Sequence, residues 1–121
     1  MLTKDKKLRF LLLYIPQSNM TLSERTLGDW LEHWAETTPD KEYIVYSDRN
    51  LRFTWKQFNE RVDDMAKGLM AIGVEKCTHV GLWAANVPDW LTILYACAKL
   101  GAVAVTVNTN YKQSELEYLC E

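Results

Sequence analysis

The chain has 121 residues, 14 basic and 16 acidic, for a formal charge of −2, with 48% apolar and 25% charged side chains. That balance belongs to an ordinary globular chain and excludes a disordered or fibrous one, and no basic stripe or acidic tail calls for nucleic acid. Apolar runs such as Trp90–Ala98 fall far short of the ~20 residues that span a bilayer.

Residues 1–19 differ from the rest. Lys4, Lys6, Lys7 and Arg9 precede Phe10-Leu-Leu-Leu-Tyr-Ile15, a basic start followed by an apolar run, as in a signal peptide. The run is too short for one, and no small-residue cleavage site follows. Pro16 to Asn19 break the pattern, and an ordinary domain reading begins after Met20. The expectation is an upstream extension over 1–19, a natural start at Met20 and an incomplete domain over 20–121; a short strand that docks elsewhere is the alternative for 1–19.

Thr26-Leu-Gly-Asp29 is a loose capping box, with Asp where Glu or Gln is usual. Leu27, Trp30, Leu31 and Trp34 then recur at helical spacing, and Thr38-Pro39 ends that helix. Tyr43–Tyr46 reads as a strand, Asp48–Asn50 as a turn and Leu51–Phe53 as the returning strand of a hairpin. Thr54-x-x-Gln57 is a fuller capping box. Behind it Trp55, Phe58, Val62, Met65, Leu69 and Ile72 form one apolar stripe, closed by Gly73.

Val80–Ala84 predicts a short apolar strand. Pro88 opens a helix whose stretch from Trp90 to Leu100 is apolar nearly all round, implying burial on several sides; Gly101 ends it. Ala102–Val107 is continuously apolar, the pattern of a strand buried on both faces in a parallel sheet. Ser114-x-x-Glu117 is placed as the cap of a final helix. Strands 80–84 and 102–107, joined through helix 88–100, form one right-handed crossover. The fold class is therefore α/β: a partial layered fold of parallel-type strands with crossover helices, preceded by a helix and a β-hairpin.

Catalytic chemistry is sparse. Gly68 and Gly73 have the outer spacing of a phosphate loop, but Val74 and Glu75 stand where Lys and Ser or Thr are required. His33 is placed beside Asp29 one turn back, and His79 at the start of a strand; surface or edge positions suit both better than a metal site. Glu115 and Glu117, two apart on a helix, form no carboxylate dyad. The five tryptophans read as core, with Trp83 and Trp90 flanking a loop, Ala84–Asp89, that could border a pocket. Cys77, Cys97 and Cys120 are an odd, scattered set, read as free thiols in a reducing, cytoplasmic compartment, with Cys97 a core residue.

Taken together, Leu27-Gly-Asp-Trp-Leu-Glu-His-Trp-Ala35, Thr38-Pro-Asp-Lys41 and Leu51-Arg-Phe-Thr-Trp-Lys-Gln-Phe58 resemble the opening of the adenylate-forming superfamily. Ala85-Asn-Val-Pro-Asp-Trp90, Ala98-Lys-Leu-Gly-Ala-Val103, Val107-Asn108, Tyr111 and Ser114-Glu-Leu-Glu-Tyr118 follow in family order, in wording nearest the medium- and long-chain fatty acyl-CoA synthetases. Cys77-Thr78 departs where Gly-Asp is common, and Thr109 where Pro is common. The resemblance implies a parent enzyme of fatty acid metabolism. That enzyme joins a carboxylate to ATP as an acyl-adenylate and then to coenzyme A, with Mg²⁺ on the phosphates. It also implies that the phosphate loop, the nucleotide-binding residues and the catalytic lysine belong to other parts of such an enzyme. No catalytic, cofactor-binding or metal residue is therefore carried over to this chain, whose partner is the rest of the synthetase. The expectation is a non-catalytic scaffold. The alternatives are a short stand-alone binding or regulatory module and a truncated gene product without function.

Overall fold

The computed structural model describes residues 23–120. Its order is α1 (Leu27–Thr37), β1 (Glu42–Tyr46), a 3₁₀ turn (Ser47–Arg49), β2 (Leu51–Thr54), α2 (Trp55–Ala71), β3 (His79–Leu82), α3 (Pro88–Leu100), β4 (Val103–Thr106) and α4 (Gln113–Cys120). The extension expected over 1–19 and the start expected at Met20 lie outside the described residues.

The helix ends are set by side chains the sequence places there. The Thr26 hydroxyl accepts from the Asp29 N–H (3.1 Å), and the Asp29 carboxylate accepts from the Thr26 N–H (2.7 Å). The shorter Asp thus completes the box, and the Thr26 backbone, then its hydroxyl, hold the Asp29 carboxyl below the usual carboxylate range. That carboxylate is therefore engaged away from His33, whose ring meets Trp30 and Trp34 edge-on at 5.6 and 5.2 Å instead of pairing with Asp29 as expected. Thr54 and Gln57 form the second box at 3.3 and 3.0 Å.

The third cap departs from expectation. Backbone N–H groups of Glu115 and Leu116 both donate to the Lys112 carbonyl, so α4 starts before Ser114. Glu115 reaches back to accept from the Lys112 N–H (2.8 Å), and Glu117 accepts from Gln113 Nε2 (2.7 Å). Ser114 and Glu117 are interior to the helix rather than its cap.

Gly73 closes α2 at φ +93°, with the Val74 N–H donating to Leu69 O and the Gly73 N–H to Met70 O, both at 3.0 Å. This is the left-handed closure glycine favours. It also removes Ile72 from the apolar stripe: Ile72 has left helical geometry and is 78% exposed. Ala66 takes the buried place, with Phe58 and Val62.

Helices α1, α2 and α3 pack around Leu31, Phe58, Val62, Ala66 and Ala96, and the antiparallel β1–β2 hairpin covers one end through Tyr43, Ile44 and Phe53. No residue from Trp90 to Leu100 is exposed, as the all-round apolar pattern of α3 implies. The tryptophans correct the sequence reading, because none is fully buried. Trp30, Trp34 and Trp55 instead form a ladder that ends on Tyr43, stacked on Trp55 at 3.8 Å between centroids, with Arg25 over Trp30. Large rings bury most of their area without being enclosed.

β3 and β4 pair in parallel, His79 with Val103 through Leu82 with Thr106, joined through α3 as expected. Gly101 at φ +69° makes the turn between α3 and β4, the Ala102 N–H donating to Cys97 O (2.9 Å). Cys97 is buried, while Cys77 and Cys120 are exposed; all three are free.

Cys77, a residue with a Cβ, also occupies a left-handed position, φ +68°, held by its N–H donating to Gly101 O at 2.9 Å. A Cβ in that region costs ~1–2 kcal/mol, and glycine gives back part of this through its freer unfolded chain. Cys77→Gly is expected to stabilise the chain by about 0.5–1 kcal/mol, read from the urea midpoint. A lower midpoint would show that the thiol makes a compensating contact.

Candidate functional site

In a parallel pair, residues opposite one another share a face, and faces alternate along the strand. The register therefore puts Val80, Leu82, Ala104 and Thr106 on one side, and His79, Gly81, Val103 and Val105 on the other. The first side lies on α3, and Leu82 is buried there. The second opens on a groove of about 610 Å³ lined by His79, Gly81, Trp83, Val105 and Val107, with Leu116, Leu119 and Cys120 of α4 across it. Trp83 is 52% exposed in this position.

β4 is consequently not buried on both faces, contrary to the expectation from its sequence. Apolar residues on both sides do mark a strand meant for two covering layers. Here α3 packs on one side, where Leu82 is buried, Val80 and Ala104 are half-buried and Thr106 is exposed, and the short α4 only partly closes the other. No residue of the loop Ala84–Asp89 lines the groove, contrary to expectation; of the two tryptophans that flank it, Trp83 lines the groove and Trp90 does not.

The groove has no reactive constellation. Its lining carries no Lys, Arg, Asp or Glu, and His79 is exposed at the strand's start. His33 lies in α1, against Trp30 and Trp34. Glu115 and Glu117 are engaged within the first turns of α4. Gly68 sits inside α2 and Gly73 at its end, so the apparent phosphate-loop spacing spans a helix terminus. Among the described residues no group of three His, Cys, Asp or Glu could hold a metal ion.

The shifted groups have structural causes elsewhere. Burial, then the Tyr95 hydroxyl 3.0 Å away, keep the Tyr43 phenol above its ordinary range. Burial raises the Cys97 thiol.

Two polar knots escaped the sequence reading, and both sit on α3. Lys99 Nζ donates to Asp63 Oδ1 (2.6 Å), Asn59 Oδ1 (2.7 Å) and Glu32 Oε1 (3.0 Å), tying α3 to α2 and α1. Gly28 lets α1 approach: a Cβ there would stand 3.1 Å from Lys99 Cγ. The Thr92 hydroxyl donates to Pro88 O (3.1 Å) and accepts from Arg61 Nε (3.2 Å), while Arg61 Nη2 pairs with Asp89. Both knots were signalled only as polar residues interrupting an apolar helix; their partners lie dozens of residues away.

The geometry is a three-helix core bearing a parallel strand pair, one face of which lies on α3 and the other on an open groove. Residues 31–121 match the family of AMP-binding enzymes. The chain belongs to that family. Within it, the chain is 49% identical over 98 residues to the putative acyl-CoA synthetase YngI of Bacillus subtilis (strain 168), covering 81% of this chain and 18% of that protein. It is 39% identical over 97 residues to the mitochondrial medium-chain acyl-CoA ligase ACSF2 of Bos taurus, covering 80% of this chain and 16% of the ligase. Among solved structures it resembles the N-terminal domain of FACL13 from Mycobacterium tuberculosis, with TM-score 0.76 and 30% identity over 78% of this chain and 24% of that one. These likenesses carry the α/β fold and place the match in the N-terminal region of acyl-CoA synthetases. The chain spans less than a fifth of the curated relatives it matches.

Proposed function

We infer that residues 20–121 are the amino-terminal portion of the large domain of an AMP-forming fatty acyl-CoA synthetase, with 1–19 an extension ahead of it. The observation that carries this is the 49% identity over 98 residues to an acyl-CoA synthetase relative, joined to an α1–hairpin–α2–β3–α3–β4 order that superposes on the FACL13 domain. The activity so proposed for the complete protein converts a fatty or other carboxylic acid, with ATP and coenzyme A, to an acyl-CoA. ATP and Mg²⁺ do not fit the residues described here, which offer no metal-ligand cluster and no glycine-rich phosphate cradle. The role of this portion is to support the sheet; the partner is the remainder of the synthetase. An odd set of free cysteines supports a reducing compartment, the cytoplasm under this reading.

The test is a chimera in which residues 27–120 replace the matched segment of the bovine medium-chain ligase. The expected result is ligase activity within about tenfold of the unmodified host, since core substitutions that keep pattern and volume are tolerated. A chimera that folds and melts cooperatively yet forms no acyl-CoA would overturn the assignment. Under the same reading, the 121-residue chain alone catalyses no carboxylate-dependent exchange of pyrophosphate into ATP.

A further inference from the structure

We propose that Arg61 is a positioning residue of the synthetase: from α2 it sets the loop Trp83–Val87 at the carboxyl edge of the β3–β4 pair, where a substrate of the reaction meets this portion. The inference rests on the functional reading above and adds to it a residue, a loop and a role.

The first observation is a missing cap. α1 and α2 both begin with capping boxes, Thr26 with Asp29 and Thr54 with Gln57. α3 follows Val87, which offers no side-chain cap to the first-turn N–H groups. A local cap fixes a helix end against the residues just before it. α3 is gripped from another element instead. Arg61 Nε donates to the Thr92 hydroxyl at 3.2 Å, and that hydroxyl, fully buried, donates to Pro88 O at 3.1 Å. Arg61 Nη2 pairs with Asp89 in the first turn. The guanidinium also lies over the Phe53 ring of β2, 5.5 Å from its centroid. A planar fork of fixed donors suits such a grip, where a lysine would bring a single point of charge. The start of α3 is thereby placed relative to α2 and the hairpin.

The second is where the loop sits. Leu82 stands opposite Thr106 in the parallel pair, so the loops after β3 and β4 leave from the same edge of the sheet. Open α/β sheets take their ligands outside the carboxyl ends of their strands. The loop after β4 is held by its own Asn108, whose side chain accepts from the Asn110 N–H and whose carbonyl accepts from the Tyr111 N–H, both at 3.0 Å. The loop after β3 is exposed from Trp83 to Asn86, and its Val87 N–H donates to Ala85 O at 2.8 Å. Its place is therefore set by its two anchors, β3 and the start of α3 that Arg61 holds.

The third is energy. The side chains of Arg61 and Asp89 keep 40% and 57% of their exposure, so their ion pair adds little to stability. A grip that ties three elements yet supports them weakly acts through geometry, and misplacement beside a reacting substrate is costly.

The experiment places Arg61→Met in the chimera of residues 27–120 with the bovine ligase and measures kcat and KM for octanoate, ATP and coenzyme A. The expected result is a KM raised about threefold or more for at least one of the three, with kcat within about twofold and the melting temperature within about 2 °C. Asp89→Asn, which keeps the shape and removes the ion pair, should raise the same KM. In the 121-residue chain, Arg61→Met should quicken amide exchange at Val87 and Trp90 by about tenfold and leave Leu31 of α1 unchanged. Unaltered KM values in an active chimera, whatever happens to kcat, overturn the proposal and leave the functional reading standing; so does unchanged exchange at Val87 and Trp90. An unsubstituted chimera that folds but forms no acyl-CoA sinks that reading, and this inference with it.

Discussion

Phe58→Ala is expected to remove about 3–5 kcal/mol of stability, the range for emptying a buried aromatic site. Native domains hold only ~5–15 kcal/mol in total, so the urea midpoint should fall steeply. Phe58 is 1% exposed and is the piece that three elements share. It projects from α2, its ring is 5.2 Å from that of Tyr43 on β1, and it meets Tyr95 of α3 edge-on at 5.6 Å. Tyr43 and Tyr95 also join through their hydroxyls at 3.0 Å, which fixes both rings and leaves them little freedom to collapse into a void. A cavity that cannot relax lies at the costly end of the range. Met70→Ala on the exposed side of the same helix should change stability by less than about 0.5 kcal/mol and serves as the control. A loss below about 1 kcal/mol at Phe58 would mean that the hairpin does not close on the helical core in solution.

Local features were legible in the sequence where local chemistry decides them. The Thr26 and Thr54 boxes, Pro88 at the first turn of α3, and the closures at Gly73 and Gly101 each depend on residues within one turn, and each is where the sequence put it. The failures have two physical sources. At Ser114, three polar residues in a row could each begin the helix, and the longer side chain of Glu115 decided the matter by reaching Lys112. At Ile72, periodicity was followed one step past the point where the backbone leaves helical geometry. The Lys99 and Thr92 knots were invisible because their partners come from other elements. The burial of β4 was misread for another reason: its residues encode a two-sided environment that the described residues supply only in part, so that none of Val103–Thr106 is buried. Cys77 is legible only in retrospect, as a departure from glycine at a position whose backbone is left-handed.

The second large effect is expected at Lys99, and its pattern across variants matters more than its size. The Lys99 side chain is only 10% exposed, while Asp63 keeps 40% of its exposure and Glu32 more. The ammonium is thus the buried member, and its partners can fall back on water. Removing the cation while keeping its stem, Lys99→Met, should cost about 1–3 kcal/mol, below the 3–5 of a fully buried broken pair because the carboxylates left behind are half-solvated. Asp63→Ala should cost about 2 kcal/mol, since Lys99 then keeps only Asn59 and the exposed Glu32. Combined as Lys99→Met with Asp63→Ala, the loss should fall short of the sum by at least ~1 kcal/mol, the mark of a shared interaction. Strict additivity would show that the 2.6 Å contact contributes nothing beyond packing. The location has a consequence for the sheet. Lys99 lies two residues before Gly101, whose turn launches β4, and it is held down on α1 at Gly28 and on α2 at Asp63. Weakening it frees the carboxyl end of α3 first, so amide exchange in Lys99→Met should quicken in β4 and at the Gly101 turn more than in the β1–β2 hairpin. Uniform acceleration would instead place Lys99 among the global supports of the core, with no special hold on the strand that bears the open face.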